Sequence, residues 1–386
     1  MKRRELLIAG AGAFAGLTPG ARHAFDQTGR RTKNSKIPLV HITDLYHPPQ
    51  DPDDHIDLAT VAALEEFDLK GVVLDVTRKF LQASPAGFDI QRDPGFIPVA
   101  QLGYLLGRSI PVAVGPSQPL TRPEDDVADR SSGEQAGVRL LLDILEECSE
   151  SVVVSVVGST RVLTAAYNRS PELLGKKVRC VLLNAGSTAG PKREWNVGLD
   201  PEAYRGLWGS GLPIHWYPCA TESGAFNPDH DRGTYWKTTH AAIFRDLAPS
   251  LRSWFAYALT GDRRGEIIGV LDDEVHPGIW TQILAQQRNM WATVSLVTAA
   301  GRVLAKTPKG WRFVPSSTVT TESVWSWRLD PIEATVNPQA DVRWRLAEEK
   351  GNALLFGRER GPGFGEAMAE ALCALLGALS ASKSEY

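Results

Sequence analysis

A chain of 386 residues, 43% hydrophobic and 23% charged, has the apolar content of a folded globular protein and is too apolar for a disordered one. Its length accommodates one large α/β domain or two smaller ones. A formal net charge of −3 speaks against a dedicated nucleic-acid binder, and four scattered cysteines without a C-x-x-C speak against a zinc ribbon or a thioredoxin-type site.

The first segment, MKRRELLIAGAGAFAGLTPGARHAF, sets Arg3 and Arg4 before a Gly/Ala-rich run too short and too weakly apolar to span a membrane. Residues 1–24 resemble a twin-arginine export signal, with Ala21 and Ala24 as cleavage candidates; the alternative is a frayed basic helix. No cysteine follows the run, so a lipid anchor is not indicated. The expectation is a periplasmic or otherwise exported protein with no stable membrane anchor, and a polar linker over 25–36.

A strand is predicted at 37–43. Residues 44–54 form a loop, because Pro48, Pro49 and Pro52 forbid a continuous helix. Asp53 and Asp54 fall where an N-cap belongs, ahead of a helix over 55–67. Continuous apolar, β-branched runs predict buried strands at 70–76, 109–115, 151–158, 178–186 and 212–218. Helical spacing between them predicts helices at 97–107, 134–148, 160–168 and 200–211, the last with Asp200 as cap and Pro201 at its first position. Two longer helices are expected at 238–259 and 277–300. Strand-like pieces at 311–315 and 323–329 suit an antiparallel edge or flap, and 364–379 reads as an amphipathic helix.

Alternating strands and helices make an open, mostly parallel sheet with helices on both faces. Ligands bind such sheets beyond the carboxyl ends of the strands. Asp44, Gly158 and the 184–196 loop all fall at those ends. The stretch 44–57 carries five carboxylates in fourteen residues: Asp44, Asp51, Asp53, Asp54 and Asp57. Hard cations need several converging oxygens, which this stretch offers without the glycine and glutamate spacing of an EF-hand. The competing reading is a set of helix caps and solvated charges. The eleven tryptophans are core by default and pocket lining otherwise.

Four segments in order carry a family resemblance: D-P-D-D-H-I-D-L at 51–58, 110-IPVAVGPSQPL-120, 154-VSVVGSTRVLTAA-166 and 194-EWNVGLDPEAYRGLWGSGLPI-214. Together they resemble the inosine–uridine-preferring nucleoside hydrolases, as a divergent member whose nucleoside hydrolase-like domain would span 37–380. The resemblance implies an open α/β fold and a bound Ca²⁺ holding a water and the ribose diol. It gives Asp53 the place of general base and Asp54 that of a bidentate metal ligand. Asp44 or Asp51 takes the earlier metal place, left open by the 45-LYHPPQ-50 insertion. Glu194 and Asn196 take the sugar-hydroxyl places, against the alternative of a capped loop. Asn289 takes a late metal place, against that of a polar surface residue, and Arg288 stands where the family has a histidine. The chain also departs from the family at 159-STRV-162, 75-DVTRK-79 and 184-NAGSTAGPKR-193, each of which lacks an expected asparagine. His215, His230 and His240, from an aromatic insert at 215–240, are candidate proton donors.

The expected function is Ca²⁺-dependent hydrolysis of N-glycosidic bonds in ribonucleosides or related glycosyl compounds. The alternatives are a catalytically weak sugar- or nucleoside-binding protein on the same fold and a hydrolase of another glycosidic bond. The expected partner is a small-molecule nucleoside or glycosyl substrate, with no nucleic acid; the sequence leaves homo-oligomer formation open.

Overall fold

The computed structural model describes residues 36–81, 92–190, 194–262, 265–319 and 324–379. The expected export signal, and all of the linker but Lys36, lie outside them. Among the described residues no helix is long and apolar enough to cross a membrane.

The chain runs β1 (Ile37–Thr43), α1 (Asp53–Ala63), β2 (Phe67–Leu74), α2 (Phe96–Leu105), β3 (Val112–Val114), α3 (Ala136–Glu147), β4 (Val152–Val157), α4 (Arg161–Arg169), α5 (Pro171–Lys177), β5 (Val178–Asn184), α6 (Trp195–Leu199), α7 (Pro201–Gly209) and β6 (Ile214–Trp216). There follow β7 (Trp236–Thr239), α8 (His240–Phe244), α9 (Pro249–Thr260), α10 (Pro277–Leu284), β8 (Gln287–Met290), α11 (Thr293–Ala299), β9 (Arg302–Thr307), β10 (Gly310–Pro315), β11 (Val324–Trp325), β12 (Trp327–Val336), β13 (Val342–Leu346), β14 (Ala353–Arg358) and α12 (Phe364–Gly377).

Nine strands form the central sheet in the order β13-β12-β14-β6-β5-β4-β1-β2-β3. From β3 across to β14 every pairing is parallel, and β12 and β13 close the far edge antiparallel. The inner strands β1, β4 and β5 are mostly apolar because both faces are covered, whereas β12 and β13 at the edge carry charged, exposed residues. Leu39 packs into one core, Val40 and Ile42 into the other. From β1 the chain winds outward through β2 to β3, then returns to β4 on the other side of β1 and continues to β5 and β6. The order therefore reverses between β1 and β4, and that is where an open α/β sheet leaves a crevice.

Three expectations need correction. Asp53 and Asp54 are not caps: the helix begins at Asp53, Pro52 holds the cap position, and no side chain caps it. The helix expected over 238–259 is strand β7, short helix α8 and, from Pro249, helix α9. Pro249 lacks the N–H a continuing helix would need, so it starts a helix instead. The helix expected over 277–300 is interrupted by β8, which pairs antiparallel with β7 and so satisfies its backbone outside a helix. The pieces expected as an edge or flap are both. The β10-β9-β11 sheet stands apart, and β12 joins the main sheet. All four cysteines are free thiols.

Candidate active site

At the switch point lies a cavity of about 510 Å³ whose lining includes Asp44, Asp51, Asp53, Asp54, Asp57, Glu194 and Asn196. Seven residues singled out by sequence thus meet in one place from three separate stretches: the end of β1, the loop into α1 with its first turns, and the entry to α6. Asp44 directly follows β1. Asp53 and Asp54 occupy the uncapped first turn of α1, where the helix's free N–H groups and dipole favour negative charge. Thr43 Oγ1 donates to Asp54 Oδ1 at 3.4 Å.

Behind the lining, the loops that follow β2 and β4 are joined to each other. Asp75 accepts Ser159 N at 2.7 Å and Ser159 Oγ at 2.8 Å. A Cβ placed on Gly158 would stand 2.9 Å from Asp75 Oδ2 and 3.3 Å from Asp44 Oδ1, and its φ is +143°. Glycine is required there both by the backbone and by two carboxylates closing on it. Beneath, the fully buried Arg161 donates to Asp200 Oδ2 at 2.9 Å and to the carbonyls of Val76, Pro116 and Leu199. One guanidinium thus ties together the loops after β2 and β3 and the α6–α7 junction.

On the opposite side, Glu194 caps α6. Its carboxylate accepts Asn196 N at 3.0 Å, Val197 N at 3.3 Å and Gly186 N at 2.8 Å. Asn196 Nδ2 donates to Asn184 O at 3.1 Å. The capped loop is therefore real, and it also aims Glu194 and Asn196 at the cavity. Trp195, Phe226 and Trp291 form an aromatic wall, of which Phe226 and Trp291 pack edge-on at 5.6 Å.

The electrostatics of the acidic end are one-sided. Burial, and then Asp75, push the Asp44 carboxyl well above its ordinary value. Burial, and then Asp44, do the same to Asp54. Burial, and then Asp51 and Asp57, raise Asp53. Asp57 is pushed up to about 8 by burial and by Asp51. Burial also raises Glu194, against the pull of its backbone hydrogen bonds. Crowded carboxylates hold protons unless a positive charge joins them.

The lining suits such a charge in its chemistry. Asp57 Oδ1 and Asn184 Oδ1 are buried oxygens without a hydrogen-bond partner among the described residues, and both residues face the cavity. Hard divalent cations take carboxylate and amide oxygens of this kind. Among the described residues no three His, Cys, Asp or Glu side chains already stand arranged to hold an ion. The donor set is present without a closed cage.

The remaining candidates divide. Asp51 stands at the rim, 3.3 Å from Arg288 Nη1, with its side chain 44% exposed, whereas Asp44 lies deep. Asn289 accepts the Tyr235 hydroxyl at 2.9 Å and is not among the lining residues. Nor are His215, His230 and His240: His230 pairs with Glu222 at 2.8 Å, and His240 with Arg288 at 3.0 Å. Sequence reasoning missed Asp75, Arg161, Cys219, Trp195 and Trp291. For Arg161 there was a signal, a lone charged residue in an otherwise uncharged strand-to-helix turn. Phe226 falls within the aromatic insert at 215–240 that the sequence singled out; for Trp291, far from the aspartates in sequence, there was no signal.

Fold and site together define an α/β protein with the nucleoside hydrolase architecture, its acidic pocket at the β1/β4 switch point. A purine-preferring ribonucleoside hydrolase from Gardnerella vaginalis superposes on 88% of this chain and 99% of its own, with a TM-score of 0.50 at 14% identity. By sequence the chain is 31% identical over 199 residues to the pyrimidine-specific ribonucleoside hydrolase RihA of Enterobacter sp. (strain 638). It is 29% identical over 199 residues to the RihA of Citrobacter koseri. Both alignments cover 46% of this chain and 58% of the relative, so the chain spans little more than half the length of the curated relatives it matches. No family profile matches. The resemblance read from the four segments is thus upheld, as a distant one.

Proposed function

We propose that the protein hydrolyses N-glycosidic bonds of ribonucleosides or related glycosyl compounds, with Ca²⁺ as its metal. The observation that carries this is the gathering of Asp44, Asp53, Asp54, Glu194 and Asn196 around one cavity at the switch point. Asp44 and Asp54 would hold the ion, with Asp51 read from sequence as a further ligand; Asn289, held by Tyr235 outside the lining, is not in this set. Bound there, the ion would acidify a water and grip the ribose diol.

The chain's own groups supply the rest. Asp53 takes the proton of the attacking water as the oxygen joins the anomeric carbon and the bond to the leaving nitrogen breaks. The bonding pair departs with the leaving group, which takes up a proton. Glu194 and Asn196, fixed by their backbone bonds, meet the sugar hydroxyls. The remaining carboxylates offset positive charge growing on the ring.

A nucleoside and glycoside hydrolysis panel, with added Ca²⁺ and with chelator, tests this. Turnover should require Ca²⁺. It should fall roughly 10²- to 10⁴-fold in Asp53→Ala, the range of a lost general base, with the cation still bound. One observation favours a second reading, a weakly catalytic binding protein: among the described residues no histidine lines the pocket to protonate a leaving group. Tight nucleoside binding without turnover across the panel would establish that reading and remove the first. From residues 1–24 we also propose export by the twin-arginine route. Replacing Arg3 and Arg4 by lysine should leave the protein in the cytoplasmic fraction, and unaltered export of that variant would overturn the proposal.

A further inference from the structure

The pocket has a buried acidic end and an exposed aromatic one. Asp44, Asp53 and Asp54 are at most 9% exposed, whereas Trp195 is 53% and Phe226 65% exposed. With a ribose on Glu194, Asn196 and the cation, its anomeric substituent is left the outer half, where Trp195, Phe226 and Trp291 stand. That wall is stiff. Trp291 Nε1 donates to Ala225 O at 3.1 Å, which occupies its one polar group. Tyr235 backs both rings, 5.4 Å from Trp291 and 5.7 Å from Phe226, and its hydroxyl donates to Asn289 Oδ1 at 2.9 Å. Lys79 Nζ already lies over the Trp195 ring at 5.4 Å, which makes Phe226 and Trp291 the platform for a ligand. Among the described residues the lining holds six carboxylates and no lysine, arginine or histidine. When these are ionised, even a bound divalent cation leaves the pocket negative.

We propose that the compound hydrolysed here carries a cationic aromatic aglycone, a ribosylated nitrogen of the pyridinium type, rather than a neutral purine or pyrimidine. The inference rests on the reading of the pocket as an N-glycoside hydrolase site. Two features of the lining meet in this one substrate class. An aromatic cation gains from the ring faces and from the carboxylate-lined pocket, whereas a neutral base gains from stacking alone. A pyridinium nitrogen also needs no acid. Water adds to the anomeric carbon and gives one proton to Asp53, which returns it to solvent. The pair of the breaking C–N bond stays on nitrogen and cancels its positive charge, so the heterocycle leaves neutral. A purine or pyrimidine leaves as an anion unless a donor protonates it. For that, the described lining has no histidine, and burial pushes the Cys219 thiol well above its ordinary value. The raised carboxyls yield their protons to the ion that binds among them. The missing proton donor, which favours a mere binding protein if the ligand is a neutral nucleoside, is what an enzyme for this class requires.

Full-length protein with Ca²⁺ is assayed on four ribosides: the pyridinium riboside of nicotinamide, uridine, inosine, and para-nitrophenyl riboside, a neutral compound whose leaving group departs without a proton. kcat/KM should be highest for the pyridinium riboside, and the nitrophenyl riboside should exceed uridine and inosine. Binding is read apart from reactivity with two inhibitors of one shape. The ring-N-methylated cation of nicotinamide should inhibit at about tenfold lower concentration than meta-toluamide, its uncharged isostere. Phe226→Leu and Trp291→Leu should each raise KM for the pyridinium riboside roughly 3- to 30-fold, the scale of a lost cation–ring contact, and that for the nitrophenyl riboside by less. Should Trp291→Leu fail to fold, Phe226→Leu at its exposed site carries the same test. Equal inhibition by the two isosteres, or uridine or inosine turned over as fast as the pyridinium riboside, would overturn the inference and leave N-glycoside hydrolysis in place. No turnover of any of the four would overturn the hydrolase reading itself, and the inference with it.

Discussion

Single residues here do separable work, and Gly158 is the sharpest case. It lies where β4 hands over to α4, between the carboxylates of Asp44 and Asp75. An alanine would need a backbone conformation that L-residues avoid, and its Cβ would displace one carboxylate or the other. Gly158→Ala should cost about 1–3 kcal/mol of folding stability from backbone strain, measured by denaturant unfolding. It should also weaken Ca²⁺ or Tb³⁺ binding if Asp44 is a ligand. A variant as stable as wild type would show that the loop relaxes around the methyl. The aspartates of 44–57 were legible as a group because they are close in sequence. The order of their jobs was not, because that depends on depth. Asp44 ends a central strand and is nearly buried, whereas Asp51 sits on the outer side of the proline loop against Arg288.

At the scale of elements, the strands that build the site were plain in the sequence. Runs such as 152–157 are β-branched at every position but Ser155 and flanked by helical spacing, so local preference and tertiary burial agree. The region after 220 was misread where they disagree. Gln287–Met290 has no strand pattern and is extended only because Trp236–Thr239 lies beside it. Likewise β14, a short run with a glycine, pairs parallel with β6 in the main sheet although more than a hundred residues separate them. The pocket's aromatic wall comes partly from this second half, which is why the acidic end could be read residue by residue and the opposite wall only as the aromatic insert that holds Phe226, without Trp291. The loops at the strand ends converge on Arg161, which joins Asp200, Val76, Pro116 and Leu199. Arg161→Met should cost about 3–5 kcal/mol, the scale of breaking a buried pair and leaving Asp200 uncompensated. Asp200→Asn, which keeps the cap on α7 and the shape, should cost less. Chemical denaturation of the two variants side by side checks the ordering, and equal losses would mean that charge alone matters.

For the whole molecule, two sets of buried groups oppose each other as pH changes. His41 and His55 are fully buried, and burial lowers both to about 3. Unfolded, they titrate near 6.5, so their neutral forms add stability that is complete above that value and drains away as pH falls toward 3. The carboxylates of the pocket run the other way. Asp44, Asp53, Asp54 and Asp57 are all raised, so the folded state holds protons that the unfolded state has already released. Their penalty is absent below about 4 and grows as pH rises through the folded values, reaching about 8 for Asp57. Ion-free protein should therefore be most stable in mild acid and lose stability toward pH 8, by about 1.4 kcal/mol per pH unit for each such group in its window. A divalent cation among the same carboxylates reverses this, because it favours their ionised forms and binds only the folded chain. Calcium at a hundred times its Kd adds about 2.7 kcal/mol. The rise in Tm on adding Ca²⁺ should accordingly be large at pH 8 and small at pH 5, and binding at neutral pH should release protons to the buffer. Thermal melts across that range, with and without Ca²⁺, read both effects. A Tm at pH 8 that ignores Ca²⁺ would remove the cation from this pocket while leaving the acid loss from His41 and His55 in place.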